Sequence, residues 1–172
     1  LGLNDALTVA ETLFANDPRV NSFLWTSSRR VNRAAAELLH GMGFDIEPSA
    51  RLRSLSLSDR AVVDIVRQLH ARPVLLVLDE ALEKLTPPAL ARVAPVLLRR
   101  AAEGMAVLFI THRIDDVYSF AHRVSIMRDG QLIFSGATED IDQMNLVRMA
   151  YTQFSSQIGP APARAEFTRF LR

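Results

Sequence analysis

Two short aliphatic runs constrain this chain more than any other feature. Val74–Leu78 reads VLLVL and Ala106–Ile110 reads AVLFI, each continuous where a half-exposed strand would alternate. Such runs mark strands expected to be buried on both faces, as in a parallel sheet covered by helices. Between them lies PPALARVAPVLLRRAAEG, with prolines where a first helical turn tolerates them, a stop at Gly104, and Pro95 expected to kink the helix. Strand, helix and strand at this spacing predict an α/β fold with a parallel sheet. The first run ends in two adjacent carboxylates, Asp79 and Glu80. Burying an unpaired charge is costly, so these acids belong at an open strand end.

The remaining pattern supplies the other layers. TVAETLFA (8–15) opens with Thr8 and places Glu11 three residues on, the arrangement of a capping box. RRVNRAAAELLHGMG puts Val31, Ala34, Ala35, Leu38 and Leu39 on one helical face and stops at Gly41 or Gly43. In RAVVDIVRQLHARP, Val62, Ile65, Val66 and Leu69 recur at helical spacing, and the helix ends near Ala71 before Pro73. RIDDVYSFAH predicts a short helix, and RVSIMRDGQLIFSG two strands about an Asp129-Gly130 turn. The segment from Thr138 is helical in pattern; IGPAPAR then reads as a linker. These shifts divide the chain into a helical subdomain (1–53), an α/β core (54–138) and a helical tail with linker (139–172).

Bulk composition excludes several function classes. A net charge of +1 over 172 residues gives no electrostatic reason for nucleic-acid binding. With no cysteine there is neither a disulfide nor a thiolate metal site. No apolar run approaches the roughly 18 residues that a membrane span needs, and no signal peptide is visible. His40, His70 and His122 lack partner spacing and read as structural, and Trp25 reads as a packing residue.

In an open parallel sheet, ligands collect beyond the carboxyl ends of the strands. Asp79 and Glu80 end the first strand; Thr111 and His112 end the second. A carboxylate there can hold Mg²⁺ directly or through water. A neighbouring carboxylate can activate water, and a histidine can contact a transferring phosphoryl group.

The ordered set LSLSDR, LLVLDE and FITHR, over roughly residues 7 to 136, resembles the ATP-binding cassette (ABC) ATPases, notably those that energise bacterial sugar importers. The resemblance implies the carboxyl-terminal part of a P-loop NTPase sheet preceded by a small helical subdomain. It makes Asp79 the magnesium carboxylate, Glu80 the general base and His112 the switch histidine that contacts the γ-phosphate. Ser56, Leu57, Ser58 and Asp59 would form the signature that meets an ATP held by a partner domain. ATP and Mg²⁺ are the implied ligands. The implied partners are a second ATP-binding domain (another copy of the chain included) and a membrane permease subunit, at the cytoplasmic face of the plasma membrane.

Three departures from the family pattern set limits. No GxxxxGK[ST] phosphate loop occurs in these residues, so the chain alone is expected to bind ATP weakly or not at all and to be inactive. Leu57 and Ser58 replace a small pair, and Asp59 stands where the family carries glutamine. After Glu80, the loop ALEKLTPP keeps only Leu85-Thr86 of the family pattern. These departures leave a second reading open, a degenerate, non-hydrolysing regulatory or protein-interaction module. A DNA-maintenance ATPase is the weakest reading on charge. Without a phosphate-loop strand, an apolar sheet edge is left unprotected, and self-association is expected.

Overall fold

The computed structural model describes residues 4–15, 17 and 28–151. These residues fall into two compact units, divided between His112 and Arg113. Trp25 and everything beyond Tyr151, the Pro-Ala linker included, lie outside the described residues.

In the first unit, helix α1 (Val9–Leu13) is only five residues long. Its capping box forms as the spacing predicts: Thr8 Oγ1 accepts from the Glu11 amide at 3.2 Å, and the Glu11 carboxylate accepts from the Thr8 amide at 2.7 Å. So short a helix is marginal by itself, and the backbone of residues 50–52 supports it. Val9 donates to the Ala50 carbonyl, and Leu52 donates to that of Leu7. Helix α2 (Ser28–Gly41) buries Val31, Ala35 and Leu39, while Ala34 is exposed, a narrower stripe than the periodicity suggests. Gly43, at φ +80°, provides the left-handed residue that turns the chain after it.

Helix α3 (Leu57–His70) and helix α4 (Pro87–Ala102) carry much of the rest of the core. Val62, Val63, Ile65, Val66 and Leu69 of α3 cluster with Val93, Val96 and Leu97 of α4. Pro87 and Pro88 occupy the first turn of α4, where missing amide donors cost nothing, and the helix continues through Pro95.

Strands β1 (Leu75–Asp79) and β2 (Ala106–Ile110) pair in parallel, with Leu75 opposite Ala106 and Asp79 opposite Ile110. One expectation is corrected here. Leu76 and Leu78 are buried, but Leu75, Val77, Leu108 and Ile110 are each about half exposed, at 52%, 45%, 52% and 50%. Successive side chains of a strand face opposite sides, and the packed helices cover only the side of Leu76 and Leu78. A sequence run suited to two-sided burial is therefore buried on one side.

The second unit holds helix α5 (Ile114–Phe120), strands β3 (Arg123–Arg128) and β4 (Gln131–Ala137), and helix α6 (Gln143–Tyr151). The strands form the predicted antiparallel hairpin. Asp129 (φ +51°) and Gly130 (φ +75°) make its two-residue turn, both in the left-handed region that such hairpins require. Ile126, Ile141 and Leu146 form its core, and the Tyr118 hydroxyl donates to the Ile141 carbonyl at 2.7 Å. The helical pattern from Thr138 resolves into a 3₁₀ turn (Thr138–Asp140) followed by α6.

Candidate functional site

The parallel register brings the sequence-predicted residues to one end of the sheet. Asp79 pairs with Ile110, and the Glu80 amide donates to the Ile110 carbonyl at 3.0 Å. Asp79-Glu80 and Thr111-His112 thus leave adjacent strands side by side, although more than thirty positions separate them in sequence. Both acids are exposed to solvent, so neither carries the burial cost that their greasy strand suggests.

Glu80 is held at φ +50°. Left-handed backbone costs a non-glycine residue about 1–2 kcal/mol, and such strain clusters at functional sites. The chain must turn sharply here to leave the sheet while keeping the bond to Ile110.

The loop after Glu80, unmatched to the family pattern in sequence, makes the densest polar contact at this end. Glu83 lies in a 3₁₀ turn (Leu82–Lys84). Its Oε1 accepts from Thr111 Oγ1 at 2.9 Å and from the His112 amide at 3.0 Å. The same oxygen lies 3.0 Å from His112 Nδ1. Sequence reasoning missed this residue; the signal available was only a carboxylate where the family has a small side chain.

The signature segment divides between two roles. Ser56 is the N-cap of α3. Its Oγ accepts from the Asp59 amide at 3.0 Å and donates to the Asp59 carboxylate at 2.7 Å. Asp59 therefore turns back onto the cap. Leu57 projects into solvent, 66% exposed. Ser58 is buried, and its Oγ accepts from the Thr86 amide at 3.0 Å, which ties the start of α3 to the start of α4. Leu85 is buried beside this junction. The side chains of Ser56 and Leu57 face solvent at the start of α3, while that of Ser58 holds the scaffold.

Within the same unit, His40 and His70 have other partners. His70 lies 3.3 Å from the Asp17 carboxylate and stacks edge-on with Phe14, and the exposed His40 lies 3.7 Å from Asp45. Among the described residues, no group of three or more His, Asp or Glu side chains is placed to hold a metal by itself, and no helix is long and apolar enough to cross a membrane.

No family model matches the chain. It is 34% identical over 147 residues to "Ribose import ATP-binding protein RbsA 1" of Rhizobium meliloti (strain 1021), covering 86% of this chain and 29% of that protein. It is 35% identical over 144 residues to "Ribose import ATP-binding protein RbsA" of Chelativorans sp. (strain BNC1), covering 83% of this chain and 28% of that protein. The chain thus spans about three-tenths of the length of these relatives. Among solved structures it resembles a nucleotide-free ATP-binding cassette from an ABC transporter, with TM-score 0.63, 23% identity, and coverage of 79% of this chain and 57% of that one. The ATP-binding subunit of an ABC transporter gives TM-score 0.65 at 22% identity, covering 86% and 60%. By sequence and by fold, the chain is a relative of the ABC transporter ATP-binding proteins and carries part of their P-loop NTPase fold.

Proposed function

We propose that this chain is the carboxyl-terminal part of an ATP-binding subunit that couples Mg²⁺-dependent ATP hydrolysis to import of a sugar. The observation that carries the reading is the juxtaposition of Asp79-Glu80 with Thr111-His112 at neighbouring strand ends. The sugar and the direction of transport come from the relatives, which are ribose import ATP-binding proteins.

In this reading Glu80 accepts a proton from a water as the water oxygen attacks the γ-phosphorus, and the bond to the ADP oxygen breaks. His112 contacts a γ-phosphate oxygen. Ser56 and the first amides of α3 meet the γ-phosphate of an ATP held by a second ATP-binding domain, because a helix start with a hydroxyl favours an anion. Leu57 lies at the rim of that contact, and Asp59 must release the Ser56 hydroxyl before it forms. Ser58 serves by holding α3 against α4.

The donor set fits magnesium, which takes one or two carboxylates and completes its shell with waters and phosphate oxygens. Asp79 would hold the ion, which when bound neutralises phosphate charge. The phosphate grip itself requires a GxxxxGK[ST] loop, absent from these 172 residues. Residues 1–53 would act as the helical subdomain that passes force to a permease subunit at the inner face of the membrane. Residues 54–138 would complete the ATPase core, and 139–172 would form the tail.

The test is ATP turnover by the longer protein that includes a phosphate loop, titrated with Mg²⁺. Asp79→Asn is expected to raise the Mg²⁺ needed for half-maximal turnover by about tenfold or more. An unchanged Mg²⁺ titration would remove Asp79 from the metal site.

A further inference from the structure

Glu83 and His112 form a carboxylate–imidazole pair that the family resemblance does not assign. One oxygen, Glu83 Oε1, receives the Thr111 hydroxyl at 2.9 Å and the His112 amide at 3.0 Å, and it lies 3.0 Å from His112 Nδ1. The two partners differ in exposure. The Glu83 side chain is 15% exposed and that of His112 is 70% exposed. The carboxylate is therefore the fixed member, anchored in the loop, and the ring is the accessible one.

We infer that Glu83 is the positioning residue of His112: it accepts Nδ1–H, fixes the ring, and presents Nε2 to the reacting phosphate. Which nitrogen of a histidine carries the proton is set by the bond the other nitrogen makes. With a carboxylate on Nδ1–H, Nε2 lies across the ring from Glu83, on a side chain that is 70% exposed. When both ring nitrogens carry a proton, the ring can make a charge-assisted bond at each, to Glu83 and to a phosphate oxygen. The bonds to Thr111 and to the His112 amide fix the backbone that carries the ring, so one carboxylate sets both the place and the tautomer. The stretch ALEK, mismatched to the family pattern, then supports hydrolysis from within the same domain.

The inference rests on the reading of His112 as a phosphate contact, and its test separates the two. In the 172-residue chain, ¹⁵N NMR of the histidine rings reads the His112 tautomer directly, with backbone amide spectra confirming the fold of each variant. The Nδ1–H form is expected in the wild type, and Glu83→Ala is expected to return the ring to the Nε2–H-rich mixture of a solvated histidine. Glu83→Gln keeps an acceptor oxygen for all three donors and removes only the charge. In the longer ATPase, Glu83→Ala and Glu83→Gln are expected to lower kcat by about 10–100-fold with KM for ATP little changed, and Glu83→Asp to recover part of the loss. A His112 tautomer unmoved by Glu83→Ala would overturn the pairing. A shifted tautomer with full kcat in both variants, while His112→Ala loses turnover, would make Glu83 a purely structural tie and overturn its positioning role. Full turnover in His112→Ala would instead overturn the phosphate reading on which the inference depends.

Discussion

Ser56 and Asp59 hold each other through two hydrogen bonds: the hydroxyl accepts from the Asp59 amide at 3.0 Å and donates to its carboxylate at 2.7 Å. The amide bond is an ordinary N-cap. The second bond places a fixed negative charge on the one hydroxyl that the family resemblance would give to a phosphate.

Two substitutions separate these roles. Ser56→Ala removes the cap and is expected to cost about 1 kcal/mol in urea unfolding. Asp59→Asn keeps the amide donor but loses the first-turn carboxylate, at a cost of about 0.3–1 kcal/mol. In the longer ATPase the same change removes the negative charge beside the proposed phosphate contact and is expected to raise turnover severalfold. A fall in turnover would show that Asp59 does not compete with phosphate.

Glu80 combines a proposed proton-accepting role with left-handed backbone at φ +50°. Glycine adopts that conformation without the side-chain penalty, although it loses more freedom on folding. Glu80→Gly is therefore expected to stabilise the chain by about 1 kcal/mol, while Glu80→Gln changes stability by less than about 0.5 kcal/mol. Thermal unfolding of the two variants reads the difference, and a destabilised glycine variant would contradict the strain.

How much of this was legible in the sequence follows from the range of each interaction. Local devices read directly. The Thr8–Glu11 box, the Pro87-Pro88 helix start and the Asp129-Gly130 turn each need only residues within three or four positions, and each forms. The burial of β1 did not read correctly, because a run such as VLLVL encodes tolerance for two-sided burial and not the presence of a second layer. The role of Glu83 was also hidden. Its partners Thr111 and His112 lie 28 and 29 positions away, and only the β1–β2 register brings them within reach. The pattern of Asp79, Glu80 and His112 was readable because strand ends are where such a sheet gathers its chemistry.

The exposed side of the sheet has a measurable consequence. Val77 and Leu108 are cross-strand partners, and both are about half exposed, flanked by Leu75 and Ile110. An apolar patch on a sheet invites association. The mass of the 172-residue chain in light scattering is expected to rise with concentration, and the pair Val77→Glu with Leu108→Lys to suppress the rise. A constant monomer mass for the wild type would show that this face is not an association surface.

Helix α6 carries a pH dependence at its start. The Asn145 amide donates to the Asp142 carboxylate at 2.9 Å, and this bond holds the Asp142 pKa below the ordinary carboxylate value. A lowered folded-state pKa means that the stabilisation is present above the unfolded value and is lost as pH falls through the folded one. The Asn145 amide is therefore expected to keep its protection from hydrogen exchange at neutral pH and lose it on acidification below the ordinary aspartate range. Asp142→Asn is expected to flatten that dependence. An unchanged acid profile in the variant would assign the fraying to other groups.

The role of Glu80 in activating water for attack on ATP is read by ATP turnover of the longer protein and its Glu80→Gln variant, with nucleotide binding followed in parallel. Turnover is expected to fall by about 10²–10⁴-fold while ATP binding persists. A variant that hydrolyses ATP at the wild-type rate would contradict that role.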